Sequence, residues 1–163
     1  MYNIHMIFEK ISDAVFIFFL SMAPIIENRF AIVYAVNVKH MNLAPAFFIT
    51  LSGTTLAILL ILKYLDPVIK IIFRHSPFLE KHIQKYFNKM HAKHSEKFNE
   101  IGAIFLAIFV AIPIPGTGAW SGALLAYLFN IPYKIALGSV FLGTVGAGII
   151  MLFTSGLIEM LTK

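Results

Sequence analysis

The sequence predicts an all-α integral membrane protein built as two inverted repeats, each a re-entrant helical hairpin followed by one transmembrane helix. Three observations predict this class. Of the 163 residues, 59% are hydrophobic and only 13% are charged, whereas soluble domains average about 25% charged residues. Two uncharged segments are long enough to cross a bilayer, and two other apolar stretches are interrupted by charges or by proline and glycine. We therefore treat residues 1–163 as a single membrane domain.

The first repeat is predicted over residues 11–62. Its apolar stretches 14–26 and 30–38 are each too short to cross a hydrocarbon core of about 30 Å, and the charged segment Glu27-Asn28-Arg29 separates them. We interpret them as two half-helices that enter and leave on one side of the bilayer. Met41–Leu62 follows as 22 residues without a charge or a histidine, and a helix of that length, about 33 Å, spans the bilayer.

Residues 63–100 are predicted to form a basic amphipathic connector between the repeats. Lysine recurs there every four residues, which places one basic face on a helix. The lysines of this face are Lys81, Lys85, Lys89, Lys93 and Lys97. The excess of basic residues assigns the connector to the cytoplasmic side, where such a helix can contact anionic lipid head groups; a solvated helix face is the alternative. We attribute the net charge of +5 to this anchoring rather than to nucleic-acid binding.

The second repeat is predicted over residues 101–163. The segment Pro113-Ile114-Pro115-Gly116-Thr117-Gly118 interrupts its first apolar stretch, 101–133, and a regular helix is not expected to continue through these prolines and glycines. Backbone groups freed inside a bilayer need protein or water partners, which a second re-entrant hairpin supplies. Ile135–Ile158 then spans the bilayer as 24 residues without a charge or a histidine. Small residues for close helix packing lie at Gly138, Gly143, Gly146 and Gly148.

The two halves share landmarks in the same order. Leu51–Ala57 and Phe141–Ala147 match at glycine, threonine and alanine. The other paired landmarks are Pro24 and Pro113, which lie 29 and 30 residues before Gly53 and Gly143, and Asn42 and Asn130, which precede the spanning helices. Because a hairpin returns to its starting side and the next helix crosses, the second hairpin enters from the opposite side, and both termini lie outside. The alternative is four plain spanning helices with both termini in the cytoplasm.

Glu27 and Arg29 are the candidate site residues of the first break. A charge at the centre of a bilayer costs about 2.5–3.5 kcal/mol on insertion scales, so charged residues at that depth usually serve a function. A carboxyl group held away from water can take up and release a proton, and a guanidinium can bind a phosphate or carboxylate through two parallel hydrogen bonds. The alternatives are a structural ion pair, or a break that lies at the membrane surface.

The second break supplies the other candidate residues. Glycine lets backbone N–H groups approach a ligand, and the half-helix expected to start near Ala119 would direct its positive end at that point. Threonine can add a hydroxyl group and tryptophan an aromatic wall. These residues are Pro113, Pro115, Gly116, Thr117, Gly118 and Trp120. The alternative is a tight turn that only permits close packing.

The sequence gives no indication of a metal, a cofactor or a catalytic site. Cysteine is absent, and no carboxylate set stands beside His91 and His94, the histidines that a helix would bring together. Ser121 follows a tryptophan as in some serine-enzyme motifs, but no histidine occurs after His94 to act as its base. We therefore expect a protein that is not an enzyme.

Two motifs resemble a known family. Ala111–Leu124, with its Pro-Gly-Thr-Gly-Ala-Trp string, and Glu27-Asn28-Arg29 are similar to motifs of the small multidrug export protein family of bacterial and archaeal membrane proteins. The layout is more distantly similar to the DedA/VTT superfamily, whose members are implicated in moving lipids such as undecaprenyl phosphate between leaflets, often with the proton motive force. The resemblance implies a prokaryotic cell-membrane protein in which Glu27 is a proton-linked acid and Arg29 an anion contact.

From these observations we expect a transporter or lipid flippase that works by alternating access through a midplane site between the hairpins. Its substrate is expected to be anionic or amphipathic, for example a lipid phosphate, and its transport to be linked to protons. The expected partners are membrane lipids, the substrate, protons and a second copy of the chain in a homodimer. A small-molecule or drug exporter and a non-catalytic membrane scaffold are the alternatives.

Overall fold

The computed structural model describes residues 2–75 and 96–162, and all regular structure in these residues is helical. The prediction of an all-α protein is confirmed. The helices are α1 (Tyr2–Met22), α2 (Glu27–Asn37), α3 (Leu43–His75), α4 (Glu96–Ala111), α5 (Ala119–Leu128) and α6 (Tyr133–Thr162).

Two of these helices are long and apolar enough to cross a membrane, α3 over Leu43–Ile71 and α6 over Tyr133–Gly156. Only 33% and 39% of their most apolar windows are buried inside the protein, so most of this apolar surface faces outward. Leu142 and Phe153 on α6, for example, are 65% and 77% exposed. Soluble monomers rarely expose continuous apolar surface of this extent, whereas a membrane helix presents it to lipid.

The second break lies where the sequence predicts, whereas the first lies at residues 23–26, just before the predicted segment Glu27-Asn28-Arg29, which forms the first turn of α2. α1 ends at Met22, and the chain passes through Pro24 and Ile25, the latter at a φ of +81°, before α2 begins. The second break passes through two prolines and Gly116, whose φ is +90°. Proline lacks the amide donor that would continue a helix, and a residue at positive φ turns the chain out of the helical path.

Two predicted boundaries differ from the helices. α1 begins at Tyr2, nine residues before the predicted start of the first repeat at residue 11. The helix therefore includes Glu9 and Lys10 as well as Asp13. α3 continues through Pro67 to His75, so residues 63–75 of the predicted connector extend the first spanning helix. The rest of the predicted basic face, with Lys81, Lys85, Lys89, Lys93 and Lys97, lies outside the described residues.

The helices of the two halves pack in the same pattern. In the first half, α1 packs on α2 and α3, and α2 packs on α3. In the second half, α4 packs on α5 and α6, and α5 packs on α6. The long helices α3 and α6 also contact each other. Across the halves, α2 packs on α6 and α5 packs on α3. Exchanging the halves therefore leaves these packing partners unchanged, and each short helix lies against both long ones.

Matched glycines make the same kind of contact in each half. A Cβ atom at Gly53 would meet the carbonyl oxygen of Phe18 on α1, and one at Gly143 would meet that of Ala107 on α4. Gly143 and Gly148 confirm the packing role predicted for the α6 glycines, but Gly138 has no heavy atom within 4 Å of such a Cβ, so the prediction is wrong for it.

The turns before the long helices also correspond, although not at the residues that we paired. His40 precedes α3 and Asn130 precedes α6, with φ values of +49° and +53°. Both stand at the same distance before their helix. The counterpart of Asn130 is therefore His40 rather than Asn42, because the left-handed conformation that reverses the chain occurs there.

Candidate functional site

The two helix breaks meet inside the protein. Glu27, Asn28 and Arg29 begin α2 and are 5%, 1% and 6% exposed. Their side chains reach the loop 112–118, the first turn of α5 and the middle of α6. Residues that the sequence separates by about half of the chain thus form one buried cluster. Glu27 itself has a φ of +47°, a conformation that non-glycine residues adopt rarely and that occurs often at functional sites.

The carboxylate of Glu27 caps the N-terminus of α5. It accepts hydrogen bonds from the backbone N–H groups of Ala119 at 2.9 Å and Trp120 at 3.1 Å. The N-cap residue, Gly118, offers no side-chain cap of its own, and a Cβ atom there would overlap the Glu27 carboxylate. Since a helix N-terminus carries partial positive charge, Glu27 occupies the position at which the sequence predicts a ligand anion.

The guanidinium of Arg29 binds the C-terminal end of α4 and the loop that follows it. Its Nη1 atom donates to the carbonyl oxygen of Ile114 at 2.8 Å and to the hydroxyl of Thr117 at 3.1 Å. Its Nη2 atom donates to the carbonyl oxygens of Val110 and Thr117. A helix C-terminus carries partial negative charge, so the two charged residues stabilise opposite helix ends on either side of the second break.

Glu27 and Arg29 do not form an ion pair with each other; within the described ranges the ion pairs are Lys39–Asp13 and Lys70–Asp66. The alternative of a simple structural ion pair is therefore not what the geometry shows. The Nε atom of Arg29 is buried and has no hydrogen-bond partner. A buried donor without a partner costs about 1–3 kcal/mol.

A cavity of about 140 Å³ lies where the breaks meet. It is lined by Pro24, Ile25, Glu27, Arg29, Phe30, Pro115, Gly116, Gly118, Trp120 and Ser121. Six of the predicted site residues thus contribute to one cavity. Thr117 holds Arg29 without lining the cavity, and Pro113 is not among the lining residues. The predicted lipid-contact lysines belong to the part of the chain outside the described residues.

Sequence reasoning missed Asn28, and it considered Ser121 only as a candidate nucleophile, whereas Ser121 lines the cavity. The Asn28 side chain donates from Nδ2 to the carbonyl oxygen of Thr144 in α6 at 2.9 Å, which ties α2 to the other half. Its place between two charged residues in an apolar stretch was the available signal. Trp120 was predicted as an aromatic wall, and its indole N–H also donates to the carbonyl oxygen of Met22 at 3.2 Å, so it binds the end of α1.

An apolar groove adjoins the cavity. The groove lies between α1 and α2, has a volume of about 600 Å³ and shares Ile25 and Phe30 with the cavity. Its other lining residues are Phe16, Leu20, Ile26, Val33, Tyr34, Asn37 and Val38. The two spaces together place a small cavity with two charged side chains beside a larger apolar groove.

The described part of the chain contains no group of three histidine, aspartate or glutamate side chains arranged to hold a metal ion. What the cluster can do chemically therefore rests on a carboxylate, a guanidinium and backbone N–H groups. In this structure the carboxylate and the N–H groups bind each other, and the guanidinium binds backbone carbonyl groups.

Comparison with known proteins gives one match. The family model described as "Putative small multi-drug export protein" matches residues 27–150, a segment that begins at Glu27, directly after the first break, and includes the second break. No curated protein and no solved structure shows significant similarity to the chain. The distant similarity to the DedA/VTT superfamily stays a prediction.

Proposed function

Because the chain belongs to the small multi-drug export protein family, we propose that it is a transporter that moves an anionic, amphipathic substrate across the membrane through the cavity between its two helix breaks. The observation that carries this proposal is the placement of Glu27 and Arg29 in one cavity together with residues of both breaks. Arg29 is 6% exposed there, and its guanidinium places a positive charge beside the cavity, to which an anionic group is attracted.

The breaks belong to two opposed re-entrant hairpins. α2 and α5 have 11 and 10 residues and reach about 15–17 Å, half of a hydrocarbon core of about 30 Å. Asp13 on α1 pairs with Lys39 in the turn that follows α2, so only the inner half of α1 runs beside α2. Each half then contributes one hairpin and one spanning helix, and the repeats are inverted. The basic connector faces the cytoplasm and both termini lie outside.

We propose that Glu27 couples transport to protons. Its carboxylate holds the N–H groups of Ala119 and Trp120 that would otherwise bind an anion. Proton uptake removes the negative charge and weakens this hold, because a neutral carboxyl is a poorer acceptor than a carboxylate. The anionic group of the substrate then takes its place beside Arg29. Departure of the substrate lets Glu27 release its proton and return to the end of α5.

The size of the two spaces favours a lipid-like substrate. Pockets for drug-sized molecules measure about 300–1,000 Å³, whereas the cavity measures about 140 Å³. The cavity therefore suits a head group such as a phosphate, and the adjoining groove suits the apolar chain, which passes between Ile25 and Phe30. A drug exporter would have to place most of its substrate in the groove, and a scaffold would not need two charged residues in the cavity.

The test uses purified protein in phosphatidylglycerol liposomes that contain a head-group-labelled polyprenyl phosphate. Leaflet exchange is followed with and without an imposed pH gradient for the wild type, Glu27→Gln, Arg29→Lys and the control Glu9→Gln, which alters an exposed carboxylate of α1 outside the cavity. We expect exchange by the wild type and the control, and at least tenfold slower exchange by the other two variants. Equal rates in all four, or no exchange above empty liposomes, would reject the proposal.

A further inference from the structure

A second polar pocket lies at the turn between α2 and α3, at the end of α3 opposite to the connector. Its volume is about 400 Å³. It is lined by Lys10, Asp13, Ala14, Lys39, His40, Met41, Asn42, Pro45 and Ile49. None of these residues lines the cavity between the helix breaks, so the pocket is a separate feature of the molecule.

Basic groups dominate this pocket. The ammonium of Lys39 lies 2.7 Å from the Asp13 carboxylate, and these side chains are 33% and 22% exposed. The hydrogen bond that Lys39 donates to the Asp13 carboxylate raises the pKa of Lys39 above its ordinary value, so Lys39 stays protonated at neutral pH. An ammonium has three donors, and Asp13 uses one of them. Lys10 makes no ion pair within residues 2–75 and 96–162. Glu9 acts on Lys39 from a distance but does not line the pocket.

An apolar groove continues from the pocket along α1 and α3. It has a volume of about 390 Å³ and shares Ala14 and Ile49 with the pocket. Val15, Phe18, Phe19, Phe48 and Ser52 line the rest of it. The polar end and the apolar end therefore form one cleft, whose charged residues lie where α3 begins and whose apolar residues lie along the spanning segment.

We propose that this cleft binds a membrane phospholipid. The phosphate lies between Lys10 and Lys39, and one acyl chain lies in the groove between α1 and α3. Two ammonium groups facing one carboxylate complement a phosphate, and lysines at the membrane surface reach head groups in this way. A free phosphate ion would use the pocket but not the groove, so the two ends of the cleft together select the lipid. The bound lipid fastens α1 to α3, whether or not the proposed transport function is correct.

The experiment measures lipid binding to the full-length protein in detergent by native mass spectrometry. The probes are phosphatidylglycerol, diacylglycerol with the same acyl chains, and inorganic phosphate as a competitor. The proteins are the wild type, Lys10→Gln, Lys10→Gln with Lys39→Gln, Ser52→Trp and Lys134→Gln. Ser52 lines the groove from an exposed position, so tryptophan there fills it without entering the core. Lys134→Gln changes an exposed lysine in the first turn of α6 and serves as the matched control.

We expect about tenfold weaker phosphatidylglycerol binding for each lysine-to-glutamine step in the pocket and for Ser52→Trp, since loss of one charged hydrogen bond of this kind costs about one factor of ten. The control is expected to bind like the wild type, diacylglycerol to bind weakly and inorganic phosphate not to compete.

Equal binding by wild type and Lys10→Gln would overturn the proposal, as would diacylglycerol binding as tight as that of phosphatidylglycerol. Displacement of the lipid by inorganic phosphate would assign the pocket to a free anion instead. Lys10 is exposed and outside the core, so its variant remains a test even if the double variant does not fold.

Discussion

Glu27 and Arg29 stand two positions apart on α2 and bind opposite ends of two other helices. Glu27 accepts from the first N–H groups of α5, and Arg29 donates to the last carbonyl groups of α4. The second break leaves both sets of backbone groups without helical partners. Inside a membrane such groups must bind protein or water. Glu27 satisfies N–H groups at the start of α5, and Arg29 satisfies a carbonyl group at the end of α4.

At the residue scale, Gly118 is the position on which the Glu27 contact depends. We predict that Gly118→Ala destabilises the protein by about 1–3 kcal/mol, because the added methyl group would overlap the Glu27 carboxylate and force it or α5 to move. Thermal unfolding in detergent, followed by the fluorescence of Trp120, the one tryptophan of the chain, measures the change.

Gly138→Ala is the control for that measurement. Gly138 lies in α6 with no heavy atom within 4 Å of an added Cβ, so alanine there is neutral or slightly stabilising, as expected for an open helical position. If the two variants unfold at the same temperature, the close contact between Gly118 and Glu27 is not present in the folded protein.

At the scale of the helices, the two halves use glycine at the same kind of close helix contact. Gly53 and Gly143 each bring a long helix against a backbone carbonyl of the helix that precedes the break. Close approach of this kind lets helices associate where lipid provides no hydrophobic driving force. The glycines were matched from sequence, and their contacts correspond in the structure.

We predict that Gly53→Ala and Gly143→Ala destabilise the protein by similar amounts, about 1–3 kcal/mol each, because each methyl group meets backbone that cannot move as a side chain can. Unfolding in detergent measures both. The control is Gly156→Ala, whose Cβ would make an ordinary contact of 3.7 Å with Leu43. A large effect from only one of the paired substitutions would argue against equivalent roles for the two halves.

At the scale of the whole molecule, topology separates two hairpins from four plain spans. The chain has no cysteine, so single cysteines can be introduced without a background. We predict that Tyr2→Cys and Thr162→Cys react with a membrane-impermeant maleimide on intact cells, and that Ser95→Cys in the connector reacts only after the cells are opened. Four plain spanning helices would instead protect all three positions until lysis.

Composition and local pattern determined much of this protein. The charge content, the long uncharged runs and the prolines of the second break were enough to predict helices, two spanning segments and the position of the second break, because these depend on neighbouring residues and on the solvent around them. The first break was placed a few residues too late, because the charges of Glu27 and Arg29 were taken as the end of the helical pattern although they begin α2. The same local patterns singled out Glu27 and Arg29, since a charge inside a membrane is costly and usually serves a function.

Only the tertiary structure decided which groups the site residues bind. Asn28 reaches Thr144, Trp120 reaches Met22, and Glu27 reaches α5, each across a separation along the chain that periodicity does not describe. The extent of α1 and α3 was also decided by the tertiary structure. Charged residues and proline are local signals for the end of an apolar helix, yet both helices continue through them. These residues are Glu9, Lys10 and Asp13 in α1 and Pro67 in α3. Contacts between distant segments depend on how the helices pack together, and that is a property of the folded chain.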